Sequence, residues 1–337
     1  MRIAFVVAAS LLALTAAMAL GVAFGSGPAG LGDLFTSGTP AHAIVAGYRL
    51  PRVLLGAVAG AGLAAVGAAF QSVLRNPLAD PYILGVSGGS ALGATAAIAI
   101  GGSASSIVAA AGVPAASFAG GAIATALVYV VGRAAPDRPT DAGTGASILL
   151  AGVVINAIAH ACILFIEALA APDKLQSLVW WLMGYLDAPS WPRLAFVAVY
   201  TAAGLALLLV DAARINVLSL GDEEARSLGV DVRALERRAL VACAAVVGAV
   251  VSVAGPIGFV GLVVPQALRR ALGPDLRVLL PASILIGAAT LVICDLVVRT
   301  IAPLVHTEVP VGAITALVGG PIFLVLLAGG RPWRHRA

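Results

Sequence analysis

The sequence predicts an all-α polytopic membrane protein of about ten transmembrane helices, and three observations carry that expectation. Of 337 residues, 61% are apolar, only 11% are charged, and the mean hydropathy is +1.04. Soluble domains carry about 25% charged residues. The apolar residues fall in runs long enough to cross a bilayer, and the charges gather in the short segments between them. Abundant glycine and alanine with few aromatics suit helices packed closely through small residues. Cys162, Cys243 and Cys294 each lie alone in an apolar run, so they say nothing about redox compartment.

Arg2 is followed by an apolar run over 3–24, longer than the ~7–15 residues of a signal-peptide core, and it reads as the first span. Segments 43–74, 86–100, 107–131 and 146–169 hold the next four, separated by turn-forming or charged residues. An amphipathic piece after Asp173 and Lys174 carries Trp180, Trp181 and Tyr185, and Trp191 opens a sixth span over 192–210. Tryptophans beside a span suit either a membrane interface or ordinary aromatic packing, and the order of spans leaves 171–191 on the side opposite the termini.

Residues 219–238 hold nine of the 36 formal charges and must lie in water. Ser219 with Asp222 reads as a capping box, and Asp222, Glu223 and Glu224 place negative charge on a first helical turn. Gly229 supplies a stop and Asp231 a fresh N-cap, which predicts a helix, a glycine turn and a second helix. Such an element is either a solvated loop or a docking surface for a soluble partner. Beyond it, 239–255 and 256–272 are short spans broken at Gly255-Pro256, and 276–298 and 311–328 complete ten. With an even number of spans, both termini share a side. Fifteen basic residues fall on that side against five opposite, which by the positive-inside rule makes it cytoplasmic.

Three further motifs stand out. Arg49-Leu50-Pro51-Arg52 is basic where basic residues are scarce, and with Arg299 it forms either a set of interfacial snorkels or an exposed grip for an acidic partner outside. Asp295, one turn before Arg299, is placed to pair with it. The segment 71–89, QSVLRNPLADPYILGVSGG, is an ordered crossing with turns forced at Asn76-Pro77 and Asp80-Pro81 and close backbone approach allowed at Gly85. It is not a phosphate loop: no GxxxxGK[ST] occurs, and Lys174 is the sole lysine. The segment 255–270, GPIGFVGLVVPQALRR, is a broken hydrophobic stretch of the kind tolerated at membrane depth only against protein or a cavity.

In order and spacing, RLPR, QxxxRNPLADPxxLG, LGDEEARSLGV, GPIGFVGLVVP and Glu308-Val309-Pro310-Val311-Gly312 resemble the FecCD or BtuC-type permeases over about residues 49–328. These are membrane subunits of type II ABC importers for ferric siderophores, haem and cobalamin. The resemblance implies a single permease domain with a BtuC-like fold in the bacterial inner membrane, paired with a second copy of itself. It also implies two cytoplasmic ATPase subunits and an outer substrate-binding protein, periplasmic or lipoprotein. It assigns binding-protein docking to Arg49, Arg52 and Arg299. ATPase coupling falls to Gly221, Asp222, Glu223, Glu224, Ala225, Arg226, Leu228 and Gly229. Structural or pathway roles fall to Asn76, Pro77, Asp80, Pro81, Gly85, Gly255, Pro256, Gly258, Gly261, Pro265, Glu308, Pro310 and Gly312. Two residues depart from the family pattern: Gln266 stands where a histidine is usual, and His306 precedes Glu308. His306, near the outer mouth, is a candidate haem contact.

No cofactor, metal site or nucleic-acid partner is expected. The four histidines are scattered without HExxH or paired-carboxylate spacing, which argues against an enzyme. An ion-coupled secondary transporter is the alternative. It needs ionisable groups at membrane depth, and only Asp295, Glu167 and His160 are offered.

Overall fold

A computed structural model describes residues 2–25, 29–100, 107–134, 143–305, 307 and 309–328. In chain order the helices are α1 (Arg2–Ala23), α2 (Pro40–Ile44), α3 (Leu50–Val73), α4 (Val86–Ile100), α5 (Ile107–Ala134), α6 (Gly143–Leu169), α7 (Pro172–Leu182), α8 (Trp191–Leu218), α9 (Asp222–Ser227), α10 (Val232–Ala254), α11 (Val260–Leu272), α12 (Leu276–Val305) and α13 (Val311–Ala328). Eight are long and apolar enough to cross a membrane, the second of them running through α2 into α3. The short α4 and α11 account for the other two expected spans.

At the centre is α3, with 83% of its most apolar window buried. It packs on α12, α8, α11 and α10. Its small residues set these contacts. A Cβ on Gly60 would lie 2.2 Å from the Gly287 carbonyl oxygen of α12, and one on Gly67 only 1.7 Å from that of Gly261 in α11. Backbone-to-backbone packing of this kind replaces the hydrophobic driving force that lipid removes. A second unit joins α4 to α5 and α6, again through glycines, while α1, α6 and α13 keep many apolar side chains exposed.

Two boundaries around the charged stretch move. The sixth span extends to Leu218 rather than 210, and α10 begins at Val232 rather than 239. The predicted second charged helix is therefore the opening of α10 itself. Asp231 caps it as expected, accepting from the Ala234 amide at 3.0 Å. The capping box at Ser219 does not form: the Ser219 hydroxyl donates to the Asn216 carbonyl, and Gly221 is the N-cap of α9. Continuing α8 as helix to Leu218 spends Ser219 on its C-terminal carbonyls instead.

Candidate functional sites at the two ends of the bundle

Arginine gathers at the end where α1 finishes and α3 begins. Arg49 closes a π-helical turn, Val45–Arg49, and donates to the carbonyls of Val22 at 3.3 Å, Ala23 at 3.1 Å and Ala29. Arg299 donates to the Phe24 carbonyl at 3.1 Å. Apart from that of Ala29, these are carbonyls that the C-terminus of α1 leaves unpaired, where the dipole favours a cation. Asp295 is the hub: one oxygen accepts from Arg52 Nε and the other from Arg299 Nε, both at 2.9 Å. Arg52 also donates to the Tyr48 hydroxyl at 3.1 Å and lies 5.6 Å from the Tyr185 ring centroid.

The Asp295–Arg299 pair predicted one turn apart is present. The exposed grip is not: Arg49, Arg52, Arg299 and Asp295 are only 2%, 3%, 5% and 1% exposed. The physical reason is local. With a carboxylate and several orphan carbonyls within reach, turning inward satisfies more donors than snorkelling does.

The opposite end is built on α9. Ala225 is fully buried and anchors the element, while Glu223, Glu224, Arg226, Leu228 and Gly229 face outward. Leu220 and Leu228, 61% and 65% exposed, flank the charges with apolar surface. Asp222 pairs with Arg75 at the end of α3, at 2.7 Å. Arg133 of α5 pairs with Glu236 of α10, and Asp211 of α8 receives Arg214 at 2.8 Å and Arg238 at 2.9 Å. Asp80 caps the short turn that follows it, accepting from the Tyr82 amide at 2.8 Å.

Between the ends run two irregular segments. Asn76 accepts from the Leu78 amide at 2.9 Å, Pro81 opens a short 3₁₀ turn, and Gly85 takes φ +79°. The second, Gly255–Phe259, separates α10 from α11: Gly255 takes φ +67°, Pro256 follows it, and the Ile257 amide donates to the Tyr82 hydroxyl at 2.6 Å. Gly258 faces open space, Gly261 abuts Pro81 and the Leu63 carbonyl, and Pro265 lies within α11. Gly312 donates to the Gly184 carbonyl at 3.1 Å, and Pro310 accepts from Ala313. A cavity of about 640 Å³ opens beside this break, against Trp180, Trp181, Tyr185 and Asp187. Glu308 and His306 lie outside the described residues.

Gln266 gains a clear role. Its amide donates to Gln71 Oε1 at 3.1 Å and to the Pro77 carbonyl at 2.8 Å, tying α11 to α3 and to the crossing. Sequence reasoning registered only that a histidine was replaced, and it missed Arg75, Arg133 and Glu236 as partners. Only long-range contacts reveal those pairs, because the partners stand 147 and 103 residues apart.

The FecCD transport family model matches residues 11–329. The cobalamin import system permease BtuC of Halobacterium salinarum is 44% identical, over 85% of this chain and 74% of the relative. The hemin transport system permease HmuU of Yersinia pestis is 39% identical, over 85% and 83%. Among solved structures, an inward-facing metal-chelate type ABC transporter superposes with a TM-score of 0.84 at 30% identity, covering 96% of this chain and 99% of that one.

Proposed function

The chain belongs to the FecCD transport family, and from that premise we propose how its two ends divide the work of an importer. It is the multi-pass permease subunit of an ATP-binding cassette importer for an iron chelate, haem or cobalamin-type cargo. The observation that carries the division is α9: a short charged helix anchored by buried Ala225 and flanked by exposed Leu220 and Leu228, held to the core helix α3 through Asp222 and Arg75. An isolated loop has no need of such an anchor. A lever has.

In this reading α9 docks a separate ATPase subunit, which supplies all hydrolysis, and residues 219–238 face the cytoplasm with both termini. Two permease chains, two ATPases and one outer binding protein form the working unit in the inner membrane. Cargo passes between the two permease chains, beside the irregular segments 76–85 and 255–261. The arginine end faces outward, with residues 171–191, and receives the acidic lobes of the binding protein. Because Arg49, Arg52 and Arg299 are buried, they act there from beneath the surface, three guanidinium groups set against Asp295 and nearby Asp33. Their field steers an acidic partner without direct ion pairs.

Uptake into proteoliposomes carrying the permease with its ATPase and binding protein tests the assignment. Uptake is expected only with ATP, and it persists when proton and sodium gradients are collapsed. Uptake that continues without ATP and vanishes with the gradient overturns it. Asp295, the best-placed carboxylate for ion coupling, is already engaged by two guanidinium groups, which favours the ATP-driven reading.

A further inference from the structure

Arg75 occupies a position where the backbone asks for glycine. Leu74 caps the C-terminus of α3, its amide still bonding the Phe70 carbonyl, and the Asn76 amide reaches back to the Gln71 carbonyl at 3.1 Å. That closing bond puts Arg75 at the left-handed position just past the helix, with φ +50°. Only one other non-glycine among the described residues, Phe259, has positive φ. Strain retained at a site implies that the side chain is needed there. The Arg75 side chain ends on Asp222, the first residue of α9, at 2.7 Å. Beside this pair lies Glu236, which interacts electrostatically with both members and, through its own pair with Arg133, ties α10 to α5.

Helix α9 has six residues, too few to hold its shape unaided. It packs against α8 and α10 through buried Ala225, and the Arg75 pair ties it to α3 as well. The far end of α3 carries Arg52, bound to Asp295 on α12. One buried helix therefore joins the charged element at one end to the arginine cluster at the other.

We propose that Arg75 is a positioning residue that tethers α9 to α3, so that displacement of α9 is passed into the core helix. This rests on the importer reading above. It adds a specific route that bypasses α8 and α10, the helices covalently joined to α9.

Hydrogen exchange on the full chain in lipid nanodiscs tests the tether with no partner present. Replacing Arg75 with glycine relieves the backbone strain while deleting the charge, so folding is retained. In Arg75→Gly, the amides of residues 222–228 are expected to exchange roughly two- to fivefold faster while α10 is unchanged. The double variant Arg75→Asp with Asp222→Arg restores protection. Unchanged exchange in α9, or an equal rise throughout α10, overturns the tether. In the reconstituted importer, Arg75→Gly should lower cargo moved per ATP hydrolysed while the ATPase subunit stays bound, with recovery in the charge-swapped pair. An unaltered ratio overturns the transmission role. Absence of ATP-driven uptake in the parent protein would instead refute the importer reading and leave the exchange result standing.

Discussion

Asp295 satisfies two buried guanidinium groups at once, so its loss strands both. Breaking a buried ion pair by removing one partner costs about 3–5 kcal/mol. Asp295→Ala is therefore expected to lower the thermal midpoint of the purified permease sharply, whereas Arg233→Ala, exposed on the first turn of α10, leaves it within about two degrees. Equal midpoints for the Asp295 variant and the parent would show that the cluster does not hold α1, α3 and α12 together. Gln266 offers a gentler test. Gln266→Ala leaves the Pro77 carbonyl and the Gln71 side chain without their donor, a loss of about 1–3 kcal/mol. Gln266→His, able to donate one of the two bonds, should recover part of it by the same melting measurement.

At the scale of elements, α3 is set by glycine. With Gly67 Cβ room already taken by the Gly261 carbonyl, Gly67→Val must push α11 away and carry Gln266 off its partners. Overpacking of this kind costs about 1–3 kcal/mol. The expected readout is loss of the melting transition's sharpness together with poor membrane yield, while Gly258→Ala, which meets open space, is tolerated. Wild-type yield and melting in Gly67→Val would contradict the packing.

The same elements show how far the sequence could be read. Spans 86–100 and 311–328 coincide with α4 and α13, because hydropathy and flanking turn residues mark such ends locally. The first charged helix and the Asp231 cap were legible for the same reason. The start of α10 was not: Val232 to Arg238 is helical yet carries four charges, so a hydropathy run begins late. Burial of Arg49 was equally hidden. Its partners are backbone carbonyls of Val22, Ala23 and Ala29, and no side-chain pattern announces a carbonyl.

For the whole molecule, the arginine end predicts association with an acidic binding protein that weakens as salt rises, chiefly through a slower on-rate. Charge reversal at Arg52 or Arg299 would disturb the Asp295 hub as well, so the salt series on the unaltered protein is the cleaner experiment. An on-rate flat between low and high ionic strength would remove the steering role.

Orientation is the premise under all of this: α9 inside, the arginine cluster outside. With Cys162, Cys243 and Cys294 replaced by alanine, Ser227→Cys places a lone thiol on the exposed side of α9. A membrane-impermeant maleimide should label it in inverted vesicles and leave it untouched in intact spheroplasts. Labelling in spheroplasts would put α9 on the outer face, away from any ATPase, and contradict the account.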